Sequence, residues 1–348
     1  MYTDFYKLKA LPFQLTPDHR FFFGSSVHNK AMAHLTYGLN QGEGFIIITG
    51  EVGAGKTTLV GYLLSTLDAE RYIAAKIVTT QLGGDDMLRM VASAFGIDQE
   101  GIDKATLLGR IEAFLTATHE NGKRCLLVVD EAQNLTIQAL EELRMLSNFQ
   151  VGVQVPLQSF LLGQPQFRNI LASKELDQLR QRVIAHFHMG PLSPTETRAY
   201  IEHRLKTVGW QDDPDITPDA FDEIYKHTDG VPRKINTICS RLMLFGFLEE
   251  LHRIDQQSVA QVAEDLREES AQVLDEGPVG QVPATGLLAG QANGPAAGPS
   301  AANGTADKAA DHAALLERLG VIEEYVRRHD RMIQRALKIA TDFLETQK

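Results

Sequence analysis

Apolar residues in the first half of the chain fall in short unbroken runs. Phe45–Thr49 ("FIIIT"), Ala74–Thr79, Leu126–Val129, Leu157–Leu162 and Val183–Phe187 each have the length and content of a buried strand. Between them the apolar spacing lengthens to that of helices, over Thr57–Leu67, Asp85–Phe95 and Thr106–His119. Strands that alternate with helical crossovers predict an α/β fold, a central parallel five-stranded sheet with helices on both faces. In such folds a ligand sits beyond the carboxyl ends of the strands.

After "GPLSP", Gly190–Pro194, the strand pattern stops. Pro194–Val208, Pro218–His227, Pro232–Glu250 and Asp255–Leu266 all read as helices, with Ser193, Thr217 and Asp255 at capping positions. These helices predict a second, all-helical domain that forms a lid. From about Ser270 the chain turns to Gly, Ala and Pro and offers too little apolar surface to offset the entropy of ordering, so a flexible linker is expected. Beyond it Leu315, Leu319, Ile322, Val326, Ile333, Ala336, Ala340 and Phe343 keep a heptad frame that His329 interrupts. This C-terminal amphipathic helix reads equally as a coiled coil or as a helix docked on the protein body. The expected boundaries are 1–40 for an N-terminal arm and helix packed on the core, 41–192 for the α/β domain, 193–269 for the lid, 270–311 for the linker and 312–348 for the last helix.

Composition adds two constraints. The net charge of −11 gives no general attraction to nucleic acid. The two cysteines, Cys125 and Cys239, lie far apart without metal-ligand spacing and read as core residues. There is no basic-then-apolar leader and no apolar run of the roughly 18 residues that a membrane helix needs. The expected location is the cytoplasm, with a peripheral seat at the inner membrane compatible.

The chemistry concentrates at strand ends. "GEVGAGKTTL" follows the first strand and opens a helix, as G-x-x-x-x-G-K-[ST] requires. Gly50, Glu51, Val52, Gly53, Ala54, Gly55, Lys56, Thr57 and Thr58 are therefore expected to cradle phosphate. Backbone N–H groups turn inward, Lys56 reaches the β- and γ-phosphates, and the Thr57 hydroxyl ligates Mg²⁺. "CLLVVDEAQN" is a buried strand that delivers Asp130 to the Mg²⁺ opposite Thr57 and places Glu131 to deprotonate water. A carboxylate beside the metal-holding aspartate points to hydrolysis of ATP rather than transfer to a substrate hydroxyl. Gln164, after "FLLG", reads either as a γ-phosphate sensor or as a loop cap. Arg180 and Arg182 read either as residues that reach a neighbouring subunit's γ-phosphate or as a solvated helix end. In "DGVPRKIN", Arg233 starts a lid helix and is expected to face the nucleotide. His186 and His188 alternate along a strand and read as packing residues.

Taken together these motifs resemble an AAA+ ATPase. The pattern Phe5, Pro12-Phe13, Pro17-Asp18, Phe22 ahead of the loop is similar to general secretion pathway protein A (ExeA-type) ATPases. "DEAQNL", "LEELRMLSNFQ", "LLGQPQFR" and "LRQRVIAHFHMGPL" resemble the subgroup found with exosortase and PEP-CTERM exopolysaccharide loci. The resemblance implies that Pro12, Phe13 and Phe21–Phe23 help to form the adenine pocket. Alternatively they pack the arm on the sheet. It also implies ATP-dependent homo-oligomers and a protein partner in an envelope secretion or polysaccharide system, reached through the C-terminal helix. A DNA-acting ATPase of the transposition-regulator kind (MuB- or TnsC-like) is the alternative, with DNA as partner. Secretion members resemble membrane proteins with a peptidoglycan-binding part after the ATPase. The linker and heptad helix in that place put a direct peptidoglycan role in doubt.

Overall fold

A computed structural model of the chain describes residues 2–78 and 83–275. Thr79, most of the expected linker and the whole heptad segment lie outside the described residues. Residues 1–271 form one compact unit.

Five strands, β1 (Phe45–Gly50), β2 (Tyr72–Val78), β3 (Arg124–Asp130), β4 (Leu157–Gly163) and β5 (Val183–Met189), form one parallel sheet in the order β2-β3-β4-β1-β5. All six residues of β1 are buried, as expected of a central strand covered on both faces. Because side chains alternate, Phe45 and Ile47 enter one apolar layer and Ile46 and Ile48 the other. Two helices, α2 (Ser26–Gln41) and α3 (Lys56–Thr66), cover the Ile46 face, which leaves α1 for a short N-terminal helix, Tyr2–Phe5. The Phe45 face is covered by α4 (Gly84–Ala94), α5 (Lys104–Glu120), α6 (Ile137–Leu146), α7 (Phe167–Leu171) and α8 (Asp177–Arg180). Cys125 is buried in this second layer.

The helical region holds α9 (Pro194–Thr207), α10 (Pro218–Thr228), α11 (Pro232–Leu248) and α12 (Gln256–Asp275). Its own core includes Tyr200, Ile201, Leu205, Ile235 and Cys239. A two-residue parallel pair, β6 (Asp215–Ile216) with β7 (Arg253–Ile254), ties its loops together. Helix α12 runs past the expected start of the linker.

Two local expectations are refined. Thr217 is the N-cap residue of α10, as expected, but its hydroxyl makes no capping hydrogen bond and donates instead to the Ile254 carbonyl at 3.3 Å. The first part of the arm does not pack on the sheet. Tyr2, Tyr6, Leu8, Phe13 and Phe21 join the core of the helical region, whereas Phe22 at the end of the arm and α2 pack against the Ile46 face of the sheet. The helices leave an apolar face larger than they can close among themselves, and the aromatic arm fills it.

Glu196 welds the two regions. It completes a capping box with Ser193 at the start of α9, and its Oε1 also accepts from the Ser26 N–H of α2 at 2.7 Å. Burial alone would raise its pKa, but hydrogen bonds from Ser193 and Ser26 outweigh this and hold it at about 2. The folded value is depressed, so its contribution is full above 4.5 and fades as pH falls towards about 2. Glu196→Gln is expected to cost about 1 kcal/mol at neutral pH. The difference in melting temperature from wild type should narrow as pH drops below 4.5. Melts across that window test this, and a gap that stays constant with pH would contradict it.

Candidate nucleotide site

Strand β1 ends at Gly50, and the loop after it enters α3 at Lys56. Two of its glycines are fixed by close approach. Gly53, at φ +84°, accepts the Arg233 N–H at 3.2 Å, and a Cβ there would fall 2.2 Å from the Cβ of Arg233. Gly55, at φ +93°, caps α3, and a Cβ there would fall 2.7 Å from Nε2 of His28. The loop is thus held between α2 on one side and α11 on the other. A buried Ser25–His28 pair, with Oγ 2.6 Å from Nδ1, stiffens the α2 side. Burial pushes the His28 pKa down, against a backbone hydrogen bond at Ala54.

Lys56 is 6 % exposed, and its Nζ donates to the carbonyls of Gly50 (2.7 Å) and Glu51 (3.0 Å). Burial lowers its pKa, partly offset by Glu131, Asp130 and Glu51. Thr57 Oγ1 donates to Oδ2 of the buried Asp130 at 2.8 Å. Lys76, on β2, pairs with the same oxygen at 3.1 Å. Thr57 and Asp130 are therefore brought together as a hydroxyl and a carboxylate, a donor pair that suits a small hard cation.

Glu131 comes directly after Asp130 in a left-handed conformation, φ 55°, which turns its side chain out of the strand direction. Its Oε2 accepts from Nε2 of Gln133 at 2.6 Å and from Nε2 of Gln164 at 3.3 Å. Gln133 also accepts the Gln164 N–H at 2.9 Å. Gln164 therefore lies beside Glu131 at the end of β4. The motifs alone do not single out Gln133. Its one signal in the sequence is its place two residues beyond Glu131, at the carboxyl end of the same strand.

A cleft of about 370 Å³ opens between the loop, the arm and the helical region. Val52, Gly53, Gly55, Lys56, Thr57, Thr58, Glu131 and Arg233 line it, together with the arm residues Gln14–Asp18 and Phe21–Phe23. Pro12 and Phe13 do not. Phe13 is 2 % exposed, inside the helical core, and Pro12 turns its carbonyl to Arg204. The expected pocket shifts along the arm because Phe13 is the anchor and the residues after it form the wall. Phe22 stacks on Tyr62 with centroids 4.2 Å apart, adding an aromatic edge.

Arg180 and Arg182 stand apart from the cleft. Arg180 donates to the carbonyls of Leu171 and Ser173 and pairs with Asp177. Arg182 donates to the Ser147 carbonyl at 2.9 Å. His186 and His188 flank Thr49 Oγ1 at 3.3 and 3.1 Å, linking β5 to β1.

Comparison with known proteins gives this geometry a setting. Residues 39–171 match the family model described as an AAA domain. General secretion pathway protein A of Aeromonas hydrophila is 38 % identical over 255 residues, which is 73 % of this chain and 46 % of that protein. The chain thus spans less than half the length of that relative. Among solved structures, Cdc6p from Pyrobaculum aerophilum superposes with a TM-score of 0.57 at 16 % identity, covering 77 % of this chain and 74 % of that one. The ORC2 protein of Aeropyrum pernix, in its ADPNP–ADP complexes, gives 0.52 at 14 % identity, covering 68 % and 66 %. The chain therefore has the fold of the P-loop AAA+ ATPases, its residues 39–171 are similar to an AAA domain, and it is similar over 255 residues to general secretion pathway protein A.

Proposed function

We propose that the chain is a Mg²⁺-dependent ATP hydrolase whose nucleotide cycle drives or regulates assembly of an envelope secretion or exopolysaccharide export system. The observation that carries the reading is the convergence of Lys56, the Thr57–Asp130 pair and Glu131 at the carboxyl ends of β1 and β3. Lys56 holds the β- and γ-phosphates once it leaves the loop carbonyls. Thr57 and Asp130 hold Mg²⁺, which supplies neutralising charge to the phosphates. Glu131 takes a proton from the attacking water, oriented by Gln133 and Gln164, so that Gln164 reports on the γ-phosphate through the base. Arg233 adds charge from α11, so the angle of the helical region follows the state of the nucleotide.

The secretion setting is supported by the 38 % identity to general secretion pathway protein A. The narrower exosortase and PEP-CTERM assignment rests on "DEAQNL", "LLGQPQFR" and "LRQRVIAHFHMGPL". No helix among the described residues is long and apolar enough to cross a membrane. We place the protein in the cytoplasm, at the inner face of the membrane through its partner.

Arg180 and Arg182 serve a neighbouring subunit in this reading, since neither faces the cleft of its own chain. The expected result is phosphate release from ATP that needs Mg²⁺ and is absent with chelator. Lys56→Ala and Arg182→Ala are each expected to be inactive alone. Mixed together, they should regain about a quarter of wild-type turnover if pairing is random and an arginine finger is worth the usual ~10³-fold. No rescue on mixing would refute a shared site at Arg182.

A further inference from the structure

Arg204 of α9 is 6 % exposed, faces the nucleotide cleft, and has no carboxylate within ion-pair distance among the described residues. A buried guanidinium is costly unless its donors are satisfied. Here three hydrogen bonds hold it, two of them to the arm. Nε donates to the Pro12 carbonyl at 2.6 Å and Nη2 to the Gln14 carbonyl at 3.4 Å. Nη1 donates to the buried Tyr200 hydroxyl at 2.7 Å, and Tyr200 donates on to Oδ1 of Asn236 at 3.0 Å. The guanidinium also lies 4.7 Å from the ring centroid of Phe21.

We infer that Arg204 is the positioning residue for base recognition, joining the arm that walls the base to the helix that carries Arg233. This rests on the reading of the cleft as a nucleotide site. The segment after Phe13 has no helix or strand of its own before His19, so its shape must come from outside. Arg204 grips that segment at its start and holds Phe21 at its end. Its three hydrogen bonds run to the Pro12 and Gln14 carbonyls and to Tyr200, the groups that shape the wall, so it acts on a ligand through the wall. Between the two grips, Leu15–Pro17 line the cleft and are left to meet the edge of a purine base. Asn236 stands one turn beyond Arg233 on α11. A bound base and the lid arginine are thus connected through Arg204, Tyr200 and Asn236, without passing through the phosphate loop.

The test compares ADP, GDP and pyrophosphate, none of which has a γ-phosphate to lose. Binding is measured by titration calorimetry on the full chain, for wild type, Arg204→Met and Tyr200→Phe. Arg204→Met is expected to weaken ADP by about tenfold or more, the scale of one lost charged hydrogen bond. Pyrophosphate should stay within about twofold, and the preference between ADP and GDP should shrink towards unity. Tyr200→Phe should move the same ratios in the same direction by less. If Arg204→Met shows no cooperative melt, Arg204→Lys carries the same comparison, because it keeps the charge and loses the fork. Equal losses for ADP and pyrophosphate would overturn the inference, as would unchanged ADP affinity or a wild type that binds both equally well. Base-dependent ADP binding by a wild type that does not hydrolyse ATP would remove the hydrolase reading and leave this one standing.

Discussion

Glu131→Gln is expected to reduce phosphate release by about 10²- to 10⁴-fold, the range that a positioned general base supplies, while leaving ATP bound. The substitution keeps the shape and removes the negative charge, and with it the basicity. In the structure the Glu131 carboxylate accepts from the amides of Gln133 and Gln164 at 2.6 and 3.3 Å. A glutamine carbonyl oxygen can accept the same bonds, so the loop and the left-handed backbone at Glu131 should be undisturbed. What is lost is the capacity to take a proton from water, and water is a poor nucleophile without a base. The measurement is paired: turnover by phosphate release, and retention of labelled ATP on a filter. Turnover equal to wild type would remove Glu131 as the base. Loss of binding along with turnover would show that the substitution had damaged the site rather than the chemistry.

The orientation of Glu131 also marks the limit of what the sequence shows. An unbroken apolar run ending in Asp130-Glu131 is legible because burial on both faces of a parallel sheet demands it. The loop from Gly50 to Thr57 is legible because a phosphate site between strand and helix admits few spacings. The capping box at Ser193 and Glu196 lies within four residues, so a local rule finds it. The partners that orient these groups are different. Gln164 meets Glu131 across 33 positions, and Arg204 meets Pro12 across 192. Nothing local announces such contacts. The Thr217 position illustrates the failure: the cap rule places the residue correctly, but a strand brought in from position 254 captures its hydroxyl. Phe13 illustrates it again. An aromatic residue ahead of the phosphate loop reads as pocket or as anchor, and only the apolar space left by the helical region decides for anchor. Arg204 does leave a trace. It shares a helix face with Tyr200, Ile201, Leu205 and Val208, all buried, and a charge on an apolar stripe calls for a reason.

Lys56→Met should separate binding from folding. The ammonium is buried, and in this structure its partners are the loop's own Gly50 and Glu51 carbonyls. Methionine fills the same volume without the cost of desolvating a cation. Two carbonyls lose a donor, at roughly 1 kcal/mol each, and the two effects oppose. The melting temperature without nucleotide is therefore expected to stay near that of wild type. ATP affinity should fall by about 100-fold, because two charge-assisted contacts to phosphate together supply about 3 kcal/mol or more. A ligand that binds only the folded state stabilises it by about 2.7 kcal/mol at 100 times its Kd. At an ATP concentration that gives wild type this shift, Lys56→Met should show a small fraction of it. Glu131→Gln, which keeps the binding groups, should show the shift in full. A Lys56→Met protein with an undiminished ATP-induced shift would mean that the loop holds phosphate by its backbone and helix end alone. The lysine would then be needed only as charge develops in the transition state, and the loss would appear in turnover rather than in the melt.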